Sequence, residues 1–157
     1  MAKQTVYHGY CLTKVGWLEI TGDRQNVFSI NFLKGRGLRK KSKSHPALSK
    51  FLKEIREYFN GTRKKFSFRL RQKGTDFQER VWNEIKKIPY GRVWSYKELA
   101  RTVGNEKAAR AVVTAAGQNK IPVVVPCHRV VGHRGDPGGY TGGVRIKAWL
   151  LKHEKTA

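Results

Sequence analysis

The periodicity of the apolar residues changes once along the chain, and this change restricts the fold class. Three short runs in the first part, at residues 5–11, 16–20 and 27–33, are rich in aromatic and β-branched side chains. Runs of this kind, with Gly22-Asp23 marking a turn between the last two, predict a small antiparallel sheet. From Pro46 onwards the apolar residues recur at helical spacing, so the chain is predicted to have an α+β fold.

The helical part of the sequence carries start signals at two places. Thr75 with Gln78 and Ser95 with Glu98 have the spacing of capping boxes, in which two side chains satisfy the first amides of a helix. The predicted helices cover residues 46–59, 75–88, 95–103 and 106–116, and a final helix carries Ile146, Trp149, Leu150 and His153.

Two domains are expected, residues 1–72 and 73–157, because the character of the sequence changes between Phe68 and Gly74. The first is predicted to be a small antiparallel sheet with one helix, and the second to be mostly helical. A tight turn at Gly104-Asn105 joins two helices of the second domain. This pattern fits either a helix-turn-helix or an ordinary helical hairpin.

The charge of the chain indicates the class of its partner. The sequence holds 33 lysines and arginines against 11 acidic residues, a net charge of +22. Residues 34–73 carry fifteen of the basic residues and only two of the acidic ones. Such a surface attracts the phosphate backbone of nucleic acid, with an anionic membrane surface as the second candidate. Within this basic segment, residues 35–44 are predicted to form an exposed loop.

Other classes are excluded by what the sequence lacks. The two cysteines, Cys11 and Cys127, cannot form the disulfide framework of a secreted protein, and they show no spacing that binds zinc. The longest apolar run, 121–125, is too short to cross a membrane, and the N-terminus lacks the apolar core of a signal peptide. The chain is therefore expected to be soluble and intracellular, with no bound metal.

The most informative stretch is 121–131, Ile-Pro-Val-Val-Val-Pro-Cys-His-Arg-Val-Val. A cysteine nucleophile reacts as the thiolate, and nearby positive charge lowers the pKa of the thiol. Cys127 is followed directly by His128 and Arg129, although adjacency in sequence does not by itself bring their side chains together. Cys127 is therefore either a nucleophile or a small buried side chain, whereas Cys11 is interpreted as a core residue.

Several motifs in the second part of the chain occur together in one known family. They are Tyr90-Gly-Arg-Val-Trp-Ser-Tyr96, Gly104-Asn105 followed by Ala108-Ala-Arg-Ala-Val112, Asn119, Pro126-Cys-His-Arg-Val130, Tyr140-Thr-Gly-Gly143 and Trp149-Leu-Leu-Lys-His-Glu154. In order and spacing, this part of the sequence resembles the O6-alkylguanine-DNA alkyltransferases. The first part is similar to that family only in architecture, which implies a ribonuclease-H-like domain without nuclease function.

The resemblance implies a stoichiometric repair reaction on DNA that needs no cofactor. Cys127 would accept the alkyl group from O6 of guanine, with O4-alkylthymine as a second candidate substrate, and each protein molecule would act once. His128 would take the thiol proton through a bridging water, and Glu154 would orient the imidazole. Tyr96 would donate to the purine ring, and Asn119 would connect the recognition helix to the active-site segment.

Substrate and DNA contacts are implied in the same way. The residues expected to contact the alkylguanine are Val130, Tyr140, Thr141 and Lys147, and those expected to contact DNA are Ser95, Ala108, Ala109, Arg110 and Ala111. Arg110 would fill the base stack after the target nucleotide is flipped out of the double-stranded DNA, with its helix in the minor groove. The glycine-rich residues 138–143 are interpreted as a turn that lines the pocket. The protein is expected to act as a monomer.

Three alternatives belong to other classes of protein. A lesion-binding sensor with the same fold would mark damage without removing it, but such proteins lack the nucleophile. A helix-turn-helix DNA-binding regulator would leave Cys127, His128 and Glu154 without a role. A cysteine hydrolase would turn over repeatedly. The expected location is the cytoplasm, in association with the nucleoid if the cell is prokaryotic.

Overall fold

The structure, a computed structural model, describes residues 3–34, 43–132 and 139–156. The chain divides into two compact units, Met1–Gln72 and Lys73–Ala157. The elements, in chain order, are β1 Tyr7–Thr13, β2 Gly16–Gly22, β3 Asn26–Phe32, α1 Ser49–Phe59, β4 Arg69–Leu70, α2 Asp76–Ile85, β5 Trp94–Ser95, α3 Tyr96–Thr102, α4 Ala109–Gly117, β6 Val130–Val131 and α5 Val144–Thr156. The predicted α+β class is confirmed. In the described part of the chain, no helix is both long and apolar enough to cross a membrane.

The N-terminal unit is a four-stranded sheet with α1 packed against β1. The strands lie in the order β1-β2-β3-β4, and the first three are antiparallel. Side chains alternate along β2, so Leu18 and Ile20 are buried while Trp17 is exposed. Gly9 permits the close approach of β1 to α1, because a Cβ at this position would lie 3.0 Å from Cδ1 of Leu52.

The strands differ from the predicted ones by one or two residues at their ends, and the sheet contains one additional strand. β1 extends two residues beyond the predicted end because the hydroxyl of Thr13 closes the turn to β2, donating to the carbonyl of Gly16 over 2.8 Å. The sequence also does not predict β4, which pairs in parallel with the start of β3. Two residues are too few for an alternating pattern to be visible, and their partner strand is distant in sequence.

Two helices begin later than predicted because a 3-10 turn precedes each of them. Pro46–Leu48 forms such a turn before α1, and Glu106–Ala108 forms one before α4. In both cases the preceding side chain accepts a hydrogen bond from the amide two residues ahead, at 3.1 Å for Nδ1 of His45 and 3.0 Å for Oδ1 of Asn105. The predicted exposed loop at 35–44 lies mostly outside the described residues.

The C-terminal unit is mostly helical, as predicted. Its helices α2, α3 and α4 contact one another, and the short strands β5 and β6 pair in parallel. Both predicted capping boxes are formed, at Thr75 with Gln78 and at Ser95 with Glu98. Gly104 has a φ of +89°, which glycine adopts without strain, and this turn joins α3 to α4 as a helix-turn-helix.

The buried residues of α5 include two that are charged. Ile146, Trp149 and His153, which the sequence places on this helix, are half-buried, whereas Lys147, Leu150 and Glu154 are buried. Buried charges require partners, because desolvation without them is costly. The partners of Lys147 and Glu154 lie in the segment around Cys127, so α5 forms part of the candidate site.

Candidate active site

A pocket in the C-terminal unit brings together residues from several parts of the chain. Its volume is ≈ 290 Å³. The described residues that line it are Tyr96, Val113, Ala116, Gly117, Cys127, Gly139, Tyr140 and Thr141. Cys127 carries a free thiol and is only 5% exposed. The predicted nucleophile therefore shares one pocket with three residues predicted to contact the substrate.

Asn119 fixes the segment that leads to Cys127. Its Oδ1 accepts from the amide of Ile121 at 3.0 Å, and its Nδ2 donates to the carbonyl of Val125 at 2.8 Å and to Sγ of Cys127 at 3.2 Å. Asn119 is itself buried directly after α4. One side chain thus ties the end of this helix to the sulfur.

The segment held by Asn119 contains a residue in an unusual backbone conformation. Val123 has a φ of +74°, a left-handed value that β-branched residues rarely adopt. Such a conformation costs about 1–3 kcal/mol and persists only where its surroundings enforce it. Here the amide of Val125 donates to the carbonyl of Ile121 over 2.9 Å and closes the turn. The apolar run therefore forms a tight turn immediately before Cys127.

Glu154 on α5 holds two residues that follow Cys127. Its Oε1 lies 2.7 Å from Nε2 of His128 and accepts from a terminal nitrogen of Arg129 over 2.8 Å. Its Oε2 accepts from Nε of Arg129 over 2.8 Å, which makes the arginine contact bidentate. Arg129 also donates to the carbonyl of Ile88 over 2.7 Å. All three charged or titratable side chains are buried.

This network sets the charges of Glu154 and His128. Burial alone would raise the pKa of Glu154, but hydrogen bonds from His128 and Arg129, together with the positive charge of Arg129, hold it well below its usual range. Burial lowers the pKa of His128, and this effect outweighs the contact with Glu154. The carboxylate is therefore ionised and the imidazole neutral at pH 7.

A neutral His128 is suited to act as a base. With Nε2 donating to the Glu154 carboxylate, Nδ1 carries the lone pair that can accept a proton. Nδ1 is buried and makes no hydrogen bond with any residue that the structure describes. The hydrogen bond from Nε2 to Glu154 would therefore orient the ring, and Nδ1 would remain available for proton transfer.

Cys127 carries a protonated thiol at pH 7. Burial raises its pKa to about 11, although the hydrogen bond from Asn119 and the charge of Lys147 act in the opposite direction. The reactive thiolate must therefore be generated when a substrate is in place. Among the residues that the structure describes, no three histidine, cysteine or acidic side chains are grouped as a metal site requires.

Lys147 on α5 contacts two further residues of the site. Its buried Nζ donates to the carbonyl of Val130 over 2.7 Å and lies 5.7 Å from the centre of the Tyr96 ring. The Val130 carbonyl keeps a second lone pair for a substrate amino group. Burial and the neighbouring Cys127 raise the pKa of Tyr96, so its hydroxyl remains a hydrogen-bond donor.

The helix α4 connects the pocket with a basic surface. Arg110 and Ala111, in its first turn, are exposed, and Ala108 and Ala109 are half-buried. Val113, Ala116 and Gly117 of the same helix line the pocket beside Cys127. Ser95 is half-buried, and its hydroxyl accepts from the amide of Glu98 over 3.0 Å at the start of α3.

Arg129 is the principal site residue that sequence reasoning does not assign. The amide of Gly91, 3.3 Å from Oε2 of Glu154, is a second such group. A signal for Arg129 is present, because an arginine inside the mostly apolar stretch 121–131 needs a carboxylate partner if it is buried. The spacing of Lys147, Leu150 and Glu154 on one helical face supplies the candidate partner.

Acid is expected to destabilise the folded protein in two stages. Unfolded His128 takes up a proton below its usual pKa of 6.5, whereas the folded imidazole has a lowered pKa and takes it up only at lower pH. The unfolded state then binds more protons, so the free energy of unfolding falls as the pH drops below 6.5. Glu154, whose pKa is lowered from 4.5, adds a further decrease in the free energy of unfolding as the pH falls below 4.5.

Chemical denaturation of wild-type and His128→Gln protein across this pH range tests the expectation. The variant should lack the first stage and retain the second, because only the second depends on Glu154. Equal pH dependence of the two proteins in the upper stage would show that His128 does not contribute.

Two family descriptions match the chain and together cover most of it. Residues 76–156 match "6-O-methylguanine DNA methyltransferase, DNA binding domain", and residues 6–72 match "6-O-methylguanine DNA methyltransferase, ribonuclease-like domain". A methylated-DNA–protein-cysteine methyltransferase from Methanosarcina acetivorans is 39% identical over 153 residues, covering 95% of this chain and 98% of that protein. The constitutive methylated-DNA–protein-cysteine methyltransferase of Bacillus subtilis is 46% identical over 114 residues, covering 72% of this chain and 69% of that protein.

Solved structures share the fold over both units. The crystal structure of Mycobacterium tuberculosis O6-methylguanine methyltransferase has a TM-score of 0.86 at 37% identity, covering 97% of this chain and 94% of that one. The structure of Mycobacterium tuberculosis OGT in complex with DNA also has a TM-score of 0.86 at 37% identity, covering 95% of this chain and 92% of that one.

Proposed function

The chain belongs to the methylated-DNA–protein-cysteine methyltransferase family, and from this membership we propose that it repairs DNA by moving an alkyl group from O6 of guanine to Cys127. The observation that carries the proposal is a thiol that is held by Asn119, lines a pocket and is followed directly in the chain by His128, which pairs with Glu154. Of the two cysteines, Cys127 lies in the segment that matches the DNA-binding domain of the family, and Cys11 lies in the ribonuclease-like segment.

The proposed reaction is a displacement at the alkyl carbon attached to O6. The sulfur–carbon bond forms as the carbon–oxygen bond breaks, and the thiol proton passes to Nδ1 of His128 through a bridging water. The departing guanine takes up a proton, with the hydroxyl of Tyr96 as the donor. Tyr96 is then reprotonated by the proton that His128 took from the thiol, so in net terms the alkyl group replaces the thiol hydrogen and guanine receives the proton that the thiol lost.

The acceptor is consumed in this reaction. A thioether on Cys127 has no leaving group that water displaces at neutral pH, so the protein acts once and needs no cofactor. O4-alkylthymine also carries its alkyl group on an exocyclic oxygen and is the second candidate substrate.

DNA is the partner, and the target atom is inaccessible inside a stacked duplex. We propose that the nucleotide is flipped into the pocket while the first turn of α4 lies in the minor groove. Arg110 is exposed at this turn, and the small side chains Ala108, Ala109 and Ala111 permit close approach to the groove. The protein is proposed to do this as a monomer.

The mass of the intact protein, measured after incubation with a duplex that carries one O6-methylguanine, tests the proposal. We expect one added methylene group per protein molecule, located on Cys127 by peptide mapping, and unmodified guanine in the DNA. Cys127→Ser should take up no methyl group, and the matched control Cys11→Ser should take up one. A duplex with O4-methylthymine tests the second substrate.

Two outcomes would contradict the proposal. Tight binding of the lesion with no change in protein mass would identify a lesion-binding sensor. Repeated removal of the lesion by unmodified protein would identify an enzyme that turns over.

Arg110→Ala is expected to slow transfer from duplex DNA by roughly 5- to 150-fold, because a contact that replaces base stacking is worth about 1–3 kcal/mol. Transfer from the free nucleobase O6-methylguanine needs no flipping and should keep its wild-type rate. Single-turnover rates on both substrates check this, with Lys120→Ala, at an exposed position after α4, as the control. An equal loss on both substrates would place Arg110 in the chemical step instead.

A further inference from the structure

The exposed charged side chains among the described residues of the N-terminal unit are all cationic. Among its described residues, every lysine and arginine except Arg63 is exposed. Its four acidic residues, Glu19, Asp23, Glu54 and Glu57, are all buried or half-buried. The C-terminal unit differs, because Asp76, Glu98 and Glu106 are exposed there. The DNA contact proposed for α4 does not account for the charge of the N-terminal unit.

The acidic residues of the N-terminal unit serve internal contacts. Glu54 accepts from the amide and hydroxyl of Ser67 at 2.8 and 2.7 Å and pairs with Arg63 at 3.1 Å. Glu19 accepts from the hydroxyl of Tyr10 at 3.2 Å. Carboxylates engaged in this way are poor partners for exposed lysines and arginines. The positive charge of the exposed lysines and arginines is therefore not neutralised by these carboxylates.

Three of the exposed arginines lie at the edge of the sheet, and we call Arg24, Arg69 and Arg71 the edge patch. The strand β4 is the last of the sheet and pairs with the start of β3, next to the turn that carries Arg24. Arg69 and Arg71 are both exposed and two residues apart, so they lie on the same side of this edge. Arg24 and Arg71 line one cavity of ≈ 380 Å³.

The surroundings of the edge patch hold Arg24 in place. Its guanidinium lies 5.6 Å from the centre of the Tyr7 ring, and this ring stacks on His45 with 3.9 Å between centroids. Asp23 lines the same cavity, but its Oδ1 accepts from the amides of Gln25 and Asn26 at 2.7 and 2.6 Å. Asp23 therefore stabilises the turn, and three arginines against one carboxylate leave the edge patch positive.

We propose that the edge patch is a second DNA-contact surface, which binds backbone phosphates without reading the bases. Guanidinium groups match the geometry of phosphate oxygens and can bind them through two hydrogen bonds. The proposal rests on DNA being the partner of this chain, but it is independent of the repair chemistry at Cys127. It gives the N-terminal unit a role in holding DNA, in addition to the contact made by α4.

The first test uses the wild-type protein and an arginine-specific reagent such as phenylglyoxal. A long, undamaged duplex should protect Arg24, Arg69 and Arg71 from modification, read by peptide mass spectrometry. Arg56 is exposed on α1 of the same unit and serves as the internal control. Equal modification of the three arginines with and without DNA would overturn the proposal, as would equal protection of Arg56.

The second test measures how steeply DNA binding depends on salt. The triple variant Arg24→Gln, Arg69→Gln, Arg71→Gln should lower the slope of log K against log salt by about 2–3, because each lost phosphate contact contributes about 0.9. The matched variant Lys14→Gln, Lys50→Gln, Lys53→Gln removes the same charge from exposed positions of the same unit and should change the slope far less. Equal changes in both variants would show a general charge effect and overturn the proposal.

The two tests separate this proposal from the repair function. Both use undamaged DNA, and methyl transfer from free O6-methylguanine should be unchanged in the triple variant. If the triple variant binds DNA as the wild type does but no longer binds an acidic polypeptide such as polyglutamate, the edge patch serves an acidic protein partner and the proposal is wrong.

Discussion

Replacement of Glu154 with alanine is expected to lower the free energy of unfolding by about 3–5 kcal/mol, because it leaves a buried arginine without its counter-charge. Arg129 is 7% exposed and places two nitrogens on this carboxylate, both at 2.8 Å. The change also removes the partner of Nε2 of His128. Chemical denaturation with a spectroscopic readout measures the loss.

A second carboxylate in the same unit provides a matched control. Glu106 also contacts two cations, Lys97 at 3.1 Å and Arg101 at 3.2 Å, but all three side chains are exposed. Water replaces such contacts readily, so Glu106→Ala should cost only a small fraction of the loss at Glu154. The double variant Glu154→Leu, Arg129→Leu should recover much of the stability, because it leaves no unpaired charge at this pair. Similar losses for Glu154→Ala and Glu106→Ala would contradict the structural role of the buried pair.

The fold features that depend on neighbouring residues are visible in the sequence. Thr75 and Ser95 cap their helices through residues three positions ahead, so the capping boxes are recognised without knowledge of the fold. The strand β4 shows the opposite case, because its two residues pair with a strand more than forty positions earlier. On α5 the buried residues Lys147 and Glu154 are indicated by the resemblance to a known family and not by hydrophobicity, which gives no weight to charged side chains.

The site shows the same division between local and distant information. The motif around Cys127 indicates a nucleophile, and the resemblance to a known family assigns roles to His128 and Glu154. Arg129 is not assigned, because its contact with Glu154 joins residues 25 positions apart. Neither the left-handed turn at Val123 nor the raised pKa of Cys127 follows from sequence, since both depend on how tightly the segment is enclosed.

The buried thiol explains why the neighbouring base should matter. With a pKa of about 11, roughly one Cys127 in 10⁴ is ionised at pH 7. A mechanism that waits for this fraction would be slow. Removal of the proton as the sulfur attacks avoids that limit, and Nδ1 of His128 is the buried acceptor adjacent to the cysteine in the chain.

His128→Gln is therefore expected to slow methyl transfer by about 10²–10⁴-fold, the usual contribution of general base catalysis. The variant must draw on thiolate that is already present, so its rate should rise about tenfold per pH unit until the pKa of Cys127, about 11, is approached. The wild-type rate should rise less steeply, because His128 is already a neutral base at pH 7. Single-turnover rates on a duplex with one O6-methylguanine measure both slopes.

His153→Gln is the matched control, since His153 lies on α5 next to Glu154 and its ring stacks on that of Trp149, with 4.7 Å between the ring centroids. It should keep the wild-type rate and pH dependence. Binding of the lesion-containing duplex should be the same in all three proteins, which separates the proton transfer from recognition. If His128→Gln keeps both the rate and the shallow pH dependence of the wild type, the thiol proton leaves by a route that does not include this imidazole.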